Sequence, residues 1–293
     1  MKTITRYYRI ADHLLALSAA PEMLDELTNF APFQTDETEE NVLLRLHVSD
    51  QPIPGTEGWE EVYIDSAEPD MPRIEIYCTD SEWLFRLAQT RDSELACAVR
   101  CKADFSEGEI FQFPYYVRFA LDNASMLLYA FRTAPLYTLL FHASVTVRQD
   151  VGYLFLGRSG TGKSTHSQQW MKAFDDAWLL NDDNPIVRIW PDGSVRVYGS
   201  PWSGKTPCYK QADVPVGAFV QLKQAPENKI ERLRMVQAYP HILSSVSGMK
   251  LQPQIMDCLY ASIARLLELI PVYHLECLPN EAAAQLCAQT CSL

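Results

Sequence analysis

Gly157-Arg158-Ser159-Gly160-Thr161-Gly162-Lys163-Ser164 follows the apolar run Val151-Gly152-Tyr153-Leu154-Phe155-Leu156. The octapeptide fits G-x-x-x-x-G-K-[ST], and a short buried strand leading into it is the setting a phosphate-binding loop requires. Each residue type has a separate duty. The glycines let the backbone fold tightly enough for successive N–H groups to converge on one anion. The Lys163 ammonium neutralises phosphate charge, and the Ser164 hydroxyl can ligate Mg2+. Gly157 to Thr165 is therefore the expected nucleotide cradle, with ATP and Mg2+ as cofactors.

Working outward, Ser164 to Phe174 is expected to form the helix whose N-terminus holds the phosphates, because its macrodipole and unpaired N–H groups favour anions there. His166, on its first turn, reads as a capping or exposed histidine without a role. Ala177-Trp178-Leu179-Leu180-Asn181-Asp182-Asp183 is an apolar run ending in two carboxylates, the form a strand takes when it delivers acids to a metal. Asp182 and Asp183 join Ser164 as candidate metal ligands. Upstream, Leu139 to Val147 and the run into the loop read as two strands joined at Arg148-Gln149-Asp150, preceded by a helix between Tyr116 and Tyr137 that ends near Pro135.

Downstream, Ile186 to Trp190 and Ser194 to Tyr198 flank Asp192-Gly193, a hairpin turn signal. The next stretch, Gly199 to Pro207, gathers small residues, Trp202 and Lys205. It reads equally as a second wall of an anion site or as a plain surface loop. Val214 to Leu222 and Val272 to Cys277 are expected strands, Ile255 to Ile270 and Glu281 to Cys287 expected helices. The first 116 residues show a mixed pattern, with a helix at Pro21 to Asn29 and strands at Val42 to Val48, Glu61 to Asp65 and Arg73 to Cys78. That predicts a smaller α+β domain over 1–116 and a nucleotide-binding domain over 117–293.

Composition excludes several classes. The chain has 293 residues, 47% hydrophobic and 21% charged, with a formal net charge of −12. Fourteen acids against one base, Arg45, lie between Glu22 and Asp70, so the negative charge belongs to the N-terminal part. Such a surface argues against nucleic acid and anionic membranes as partners. No apolar signal segment follows Met1, and the run Ala124 to Val145 is broken by Arg132, Pro135 and His142, so no membrane span is expected. The eight cysteines include two C-x-x-x-C pairs, Cys97/Cys101 and Cys287/Cys291, whose spacing on a helix would place both thiols on one face. Neither has the neighbours for a zinc site, so reduced thiols in a cytoplasmic protein are expected.

Leu140-Phe141-His142-Ala143-Ser144, the phosphate loop and Leu180-Asn181-Asp182-Asp183 together resemble bacterial HPr kinase/phosphorylase and its relatives, and ATP-dependent phosphoenolpyruvate carboxykinase, which share one nucleotide-binding fold. The resemblance spans roughly Leu139 to Leu222. It implies a phosphoenolpyruvate carboxykinase-like P-loop domain, α/β within an α+β chain, and raises His142 from a core residue to an active-site histidine. It further implies a serine kinase in which Lys163 grips the phosphates, Ser164 holds Mg2+ and Asp183 takes the proton of the acceptor hydroxyl, with Asp182 assisting metal or geometry. Thr165 stands where that family usually has Glu, and its Glu-Ile-Arg-Gly signature is missing. The expected acceptor is therefore a hydroxyl, Ser first, of a peptide, protein or small molecule. Carboxykinase chemistry ranks lower, since no arginine for oxaloacetate can be placed. A nucleotide-binding switch, with the acidic N-terminal domain as output, is the alternative, and a homo-oligomer is compatible with either reading.

Overall fold

In the computed structural model, which describes residues 2–36, 41–64, 72–112, 114–204, 206–248 and 253–291, the chain divides into two compact units, Met1–Arg132 and Thr133–Leu293. Both are mixed α/β. Among the described residues they hold two large sheets, one of nine and one of ten strands.

The N-terminal unit is far richer in strand than its mixed pattern suggests. Its sheet runs in the order Gln34–Thr35, Ile4–Ile10, His13–Ala19, Val42–Val48, Glu107–Gln112, Leu95–Lys102, Glu82–Ala88, Arg73–Cys78 and Glu60–Ile64. Ile10 pairs with His13 across Ala11 and Asp12, both at positive φ, a two-residue turn whose twist suits a hairpin. The expected helix at Pro21 to Asn29 is shorter, Pro21–Asp25, and is followed by a 3-10 turn, Thr28–Phe33. Cys97 and Cys101 lie on the strand Leu95–Lys102 rather than on a helix. A spacing of four also returns to one face of a strand, and both thiols are buried, which pushes the Cys97 pKa up to about 12.

The helix expected after Tyr116 is Val117–Thr133, and its partners correct the domain boundary. Tyr129 donates to the Ile10 carbonyl at 2.9 Å, Asn29 donates to Asp122 at 2.7 Å, and Phe131 packs 5.7 Å from Phe85. Its apolar stripe, including Leu121 and Leu128, is thus buried within the first unit, and the division falls after Arg132, not after residue 116. A fragment beginning at Thr133 keeps the whole phosphate loop and its own core, and is expected to retain nucleotide binding. One beginning at residue 117 would expose that stripe. Titration of both fragments with a fluorescent nucleotide checks this, and a folded 133–293 fragment without affinity would break the assignment.

In the C-terminal unit the strand order is Trp178–Asp183, Ala143–Arg148, Val151–Leu156, Asp213–Gln224, Val195–Tyr198, Ile186–Ile189, Thr138–Phe141 and Val246–Ser247. Val272–Cys277 pairs parallel with the second half of Asp213–Gln224, and Lys229–Arg232 pairs with Val272–Cys277. The twelve-residue strand Asp213–Gln224 therefore serves both the hairpin Ile186–Tyr198 at its start and the parallel strands at its end. The expected strand Leu139 to Val147 is broken at His142 into Thr138–Phe141 and Ala143–Arg148, because the two halves pair with different neighbours. The helices Lys163–Ala173 and Glu281–Cys291 cover one face of the sheet, and Met235–Ser245 and Pro253–Leu269 cover the other. Among the described residues no helix is long and apolar enough to cross a membrane.

Candidate functional site

Register across three strands brings the distant motifs to one edge. Ala143 lies opposite Leu156 on one side and opposite Asp183 on the other, so His142, Gly157 and Asp183 stand at the same end of adjacent strands. Val151–Leu156, Asp213–Gln224 and Val272–Cys277 run parallel and finish at this edge. The carboxyl ends of parallel strands in an open α/β sheet are where ligands bind.

The loop leaves the sheet at Gly157 and enters the helix at Lys163, with Gly160 at φ 78° and Gly162 at φ 104°, a backbone region that side chains disfavour. The Thr161 N–H and hydroxyl both donate to the Arg158 carbonyl, at 3.1 and 2.7 Å, closing the turn. Gln224 adds a brace from the neighbouring strand, donating to the Gly160 carbonyl at 3.2 Å. Arg158, Ser159, Gly160, Ser164 and Thr165 are exposed, as groups that meet a ligand must be. The helix behind them is anchored by the buried Ser144–Ser167 hydroxyl pair at 2.6 Å and by Trp170, which is fully buried. Its first N–H groups have no partner within the helix and point along its axis.

Lys163 is only 9% exposed and donates to the Gly157 carbonyl at 2.8 Å. Its Nζ also lies 2.9 Å from His142 Nε2, while His142 Nδ1 lies 3.0 Å from Asp183 Oδ1. An ammonium can only donate, so Nε2 accepts and the imidazole proton sits on Nδ1, facing the carboxylate. The result is a continuous chain from Asp183 through His142 to Lys163. Burial lowers the Lys163 pKa, and Asp183 and then Asp182 oppose that shift.

Asn181, fully buried, positions the acids. Its side-chain oxygen accepts from the N–H groups of Asp183 and Asn184, at 3.1 and 2.9 Å, and its amide donates to the Trp202 carbonyl at 3.1 Å. Asp183 and Asp182 alternate along the strand, so only Asp183 faces His142. Asp182 is 5% exposed, and its carboxylate accepts no hydrogen bond among the described residues. A carboxylate close enough to Lys163 to influence it, with the exposed Ser164 hydroxyl next to Lys163 in the chain, suits a hard cation. Among the described residues no cluster of three or more His, Cys, Asp or Glu could hold a metal by itself. Mg2+ does not require one, since it binds through one or two carboxylates, phosphate oxygens and water.

His166 is neither a cap nor exposed. It packs edge-on to Phe155 with ring centroids 4.6 Å apart, and its Nε2 accepts from Trp170 at 3.1 Å. Burial drives its pKa down to about 4. The unfolded chain therefore takes up a proton near pH 6.5 that the folded chain refuses until about pH 4. Stability from this group is complete above pH 6.5 and falls as pH drops, by about 3 kcal/mol at pH 4. Urea unfolding between those pH values checks this: His166→Gln, which can still accept from Trp170, is expected to flatten the dependence.

Two cavities open beside the loop. One, of about 490 Å³, is lined by Thr161, Gly162 and Thr165 and by apolar Leu222, Ala225 and Leu278. The other, of about 810 Å³, holds His142, Arg158, Lys223, His241 and His274. Lys223, Gln224, His241 and His274 have no motif around them in the sequence. The helix carrying His241, Met235–Ser245, contains Pro240, which argues against a helix from sequence alone. Lys205, the remaining expected phosphate ligand, lies outside the described residues. No protein-family model matches this chain, and no curated protein matches it significantly.

Proposed function

We propose that the protein is an ATP- and Mg2+-dependent phosphotransferase of the HPr kinase-related type, with a phosphoenolpyruvate carboxykinase-like nucleotide fold, acting on a hydroxyl acceptor. The chain Asp183–His142–Lys163 is the observation that carries this reading, because it couples a carboxylate to the cation of the phosphate loop. A protein that only bound nucleotide would have no use for a proton acceptor there.

In this reading the loop N–H groups and Lys163 would hold the phosphates, and Ser164 and Asp182 would hold Mg2+, which would supply neutralisation of phosphate charge. The acceptor oxygen forms a bond to the γ-phosphorus as the bond to the ADP oxygen breaks. Its proton passes to Asp183, whose orientation is fixed by His142 Nδ1–H on Oδ1 and by Asn184 Nδ2 on Oδ2 at 2.8 Å. The test is incubation of the full chain with γ-labelled ATP, Mg2+ and cell extract, followed by identification of labelled species. A labelled phosphate ester, Ser first, is expected. ATP binding with no transferred label would favour the nucleotide switch and overturn the kinase.

A further inference from the structure

We propose that the 810 Å³ cavity receives an anionic acceptor, whose carboxylate or phosphoryl group is held between the imidazoles of His241 and His274. The word acceptor rests on the phosphotransferase reading; the anion site does not. The two cavities differ in chemistry in a way that divides the ligands. The smaller is walled by Leu222, Ala225, Leu278 and Pro279 and adjoins the first turn of the helix, a setting for an apolar, planar base. The larger contains His142, the partner of Lys163, and therefore opens at the end of the loop where a terminal phosphate is handed over.

His241 comes from the helix Met235–Ser245 and His274 from the strand Val272–Cys277. Their rings lie 6.3 Å apart between centroids and are nearly parallel, at 22°. Neither imidazole makes a hydrogen bond among the described residues, although both are half-buried. Two unused donor rings facing one cavity are poorly explained by packing. Burial, and then the neighbouring His274, lower the His241 pKa. An anion between them opposes that shift by favouring protonation of both.

The charges around the pair are two cations, Arg158 and Lys223, and two carboxylates, Glu276 and Glu231. Arg158 is exposed on the cavity wall and makes no ion pair among the described residues. Glu276 accepts from Lys223 at 2.7 Å, and its pKa is lowered by Lys223 first and by His274 as well, so this carboxylate also faces His274. Glu231 lies opposite His274 on the adjacent strand, but it is exposed and makes no ion pair among the described residues.

The site is tested by histidine-selective NMR on the full chain saturated with ADP and Mg2+, so that the phosphate loop is occupied. Inorganic phosphate or acetyl-Asp-Ser amide is expected to raise the imidazole pKa of His241 and His274 by about one unit, with His13 and His47 unmoved. Acetyl-Asn-Ser amide should do nothing. A response to only one of the two anions identifies the oxyanion class and supports the site. His274→Asn is expected to abolish the His241 response with ADP affinity unchanged, and His241→Gln serves the same purpose if that variant does not fold. Absence of response to both anions, an equal response to the Asn peptide, or a shift shared by all the histidines overturns the proposal. If the chain does not bind ADP, the phosphotransferase reading fails, and the same titration without nucleotide still decides the anion site.

Discussion

Asp183→Asn is expected to lower phosphotransfer by roughly 10²- to 10⁴-fold, the usual contribution of a positioned general base, while ATP still binds. Phosphoryl transfer is dominated by positioning and charge neutralisation, yet the acceptor hydroxyl must lose its proton, and an amide cannot take it. The geometry adds a second penalty. Asp183 now accepts from two donors, His142 Nδ1–H on one oxygen and Asn184 Nδ2 on the other. An asparagine has one acceptor oxygen, so its NH2 must face one of those donors, and the His142 tautomer or the Asn184 rotamer has to change. ATP affinity with and without Mg2+, measured beside transfer, separates the duties: a loss seen only with Mg2+ assigns Asp183 to the metal, and a loss of turnover alone assigns it to the proton. Full turnover in Asp183→Asn would remove both duties and the mechanism with them.

Lys163→Ala is expected to weaken ATP binding, or reduce turnover, by tenfold or more, on the order of 1.4 kcal/mol. The ammonium donates to the Gly157 carbonyl and to His142 Nε2, so it stands over the loop rather than in solvent. Its charge is costly to bury, as the lowered pKa indicates, so the truncation relieves desolvation and the fold should tolerate it. Thermal unfolding beside nucleotide titration distinguishes the two effects. A variant that melts like the parent and binds ATP equally well would overturn the phosphate-loop assignment.

The local elements around the site were legible because their signals are local. The glycines and lysine of the loop, the apolar run before it and the acid pair ending a strand each occupy one contiguous segment. The Asp192-Gly193 turn and the strand Val272–Cys277 also fall where composition places them. The N-terminal sheet was legible only in part: Val42–Val48 and Arg73–Cys78 are strands as expected and Glu60–Ile64 lies within a residue of its expected start, whereas the other strands were not anticipated. Strands such as Ile4–Ile10 and Glu107–Gln112 mix charged and aromatic residues without clean alternation, and the parallel pairing of Glu107–Gln112 with Val42–Val48 joins segments far apart in the chain.

What the sequence by itself determined is a set of separate pieces: a glycine-rich loop ending in Gly162-Lys163-Ser164, a pair of carboxylates and a histidine, each with its residue types and spacing. What only the tertiary structure decided is which of them meet. His142 reaches both Lys163 and Asp183 because the chain breaks between two strands at that residue, where its N–H donates to the Ser245 carbonyl at 2.7 Å. His241 and His274 face each other because the helix Met235–Ser245, despite Pro240, lies over the end of the parallel strands. His166 reversed its expected environment, since a first-turn position specifies nothing about what packs above it, and here Phe155 and Trp170 exclude water from the ring. Side-chain type and local spacing are written along the chain, whereas convergence depends on strand register and on the neighbours each strand pairs with, which no single segment encodes.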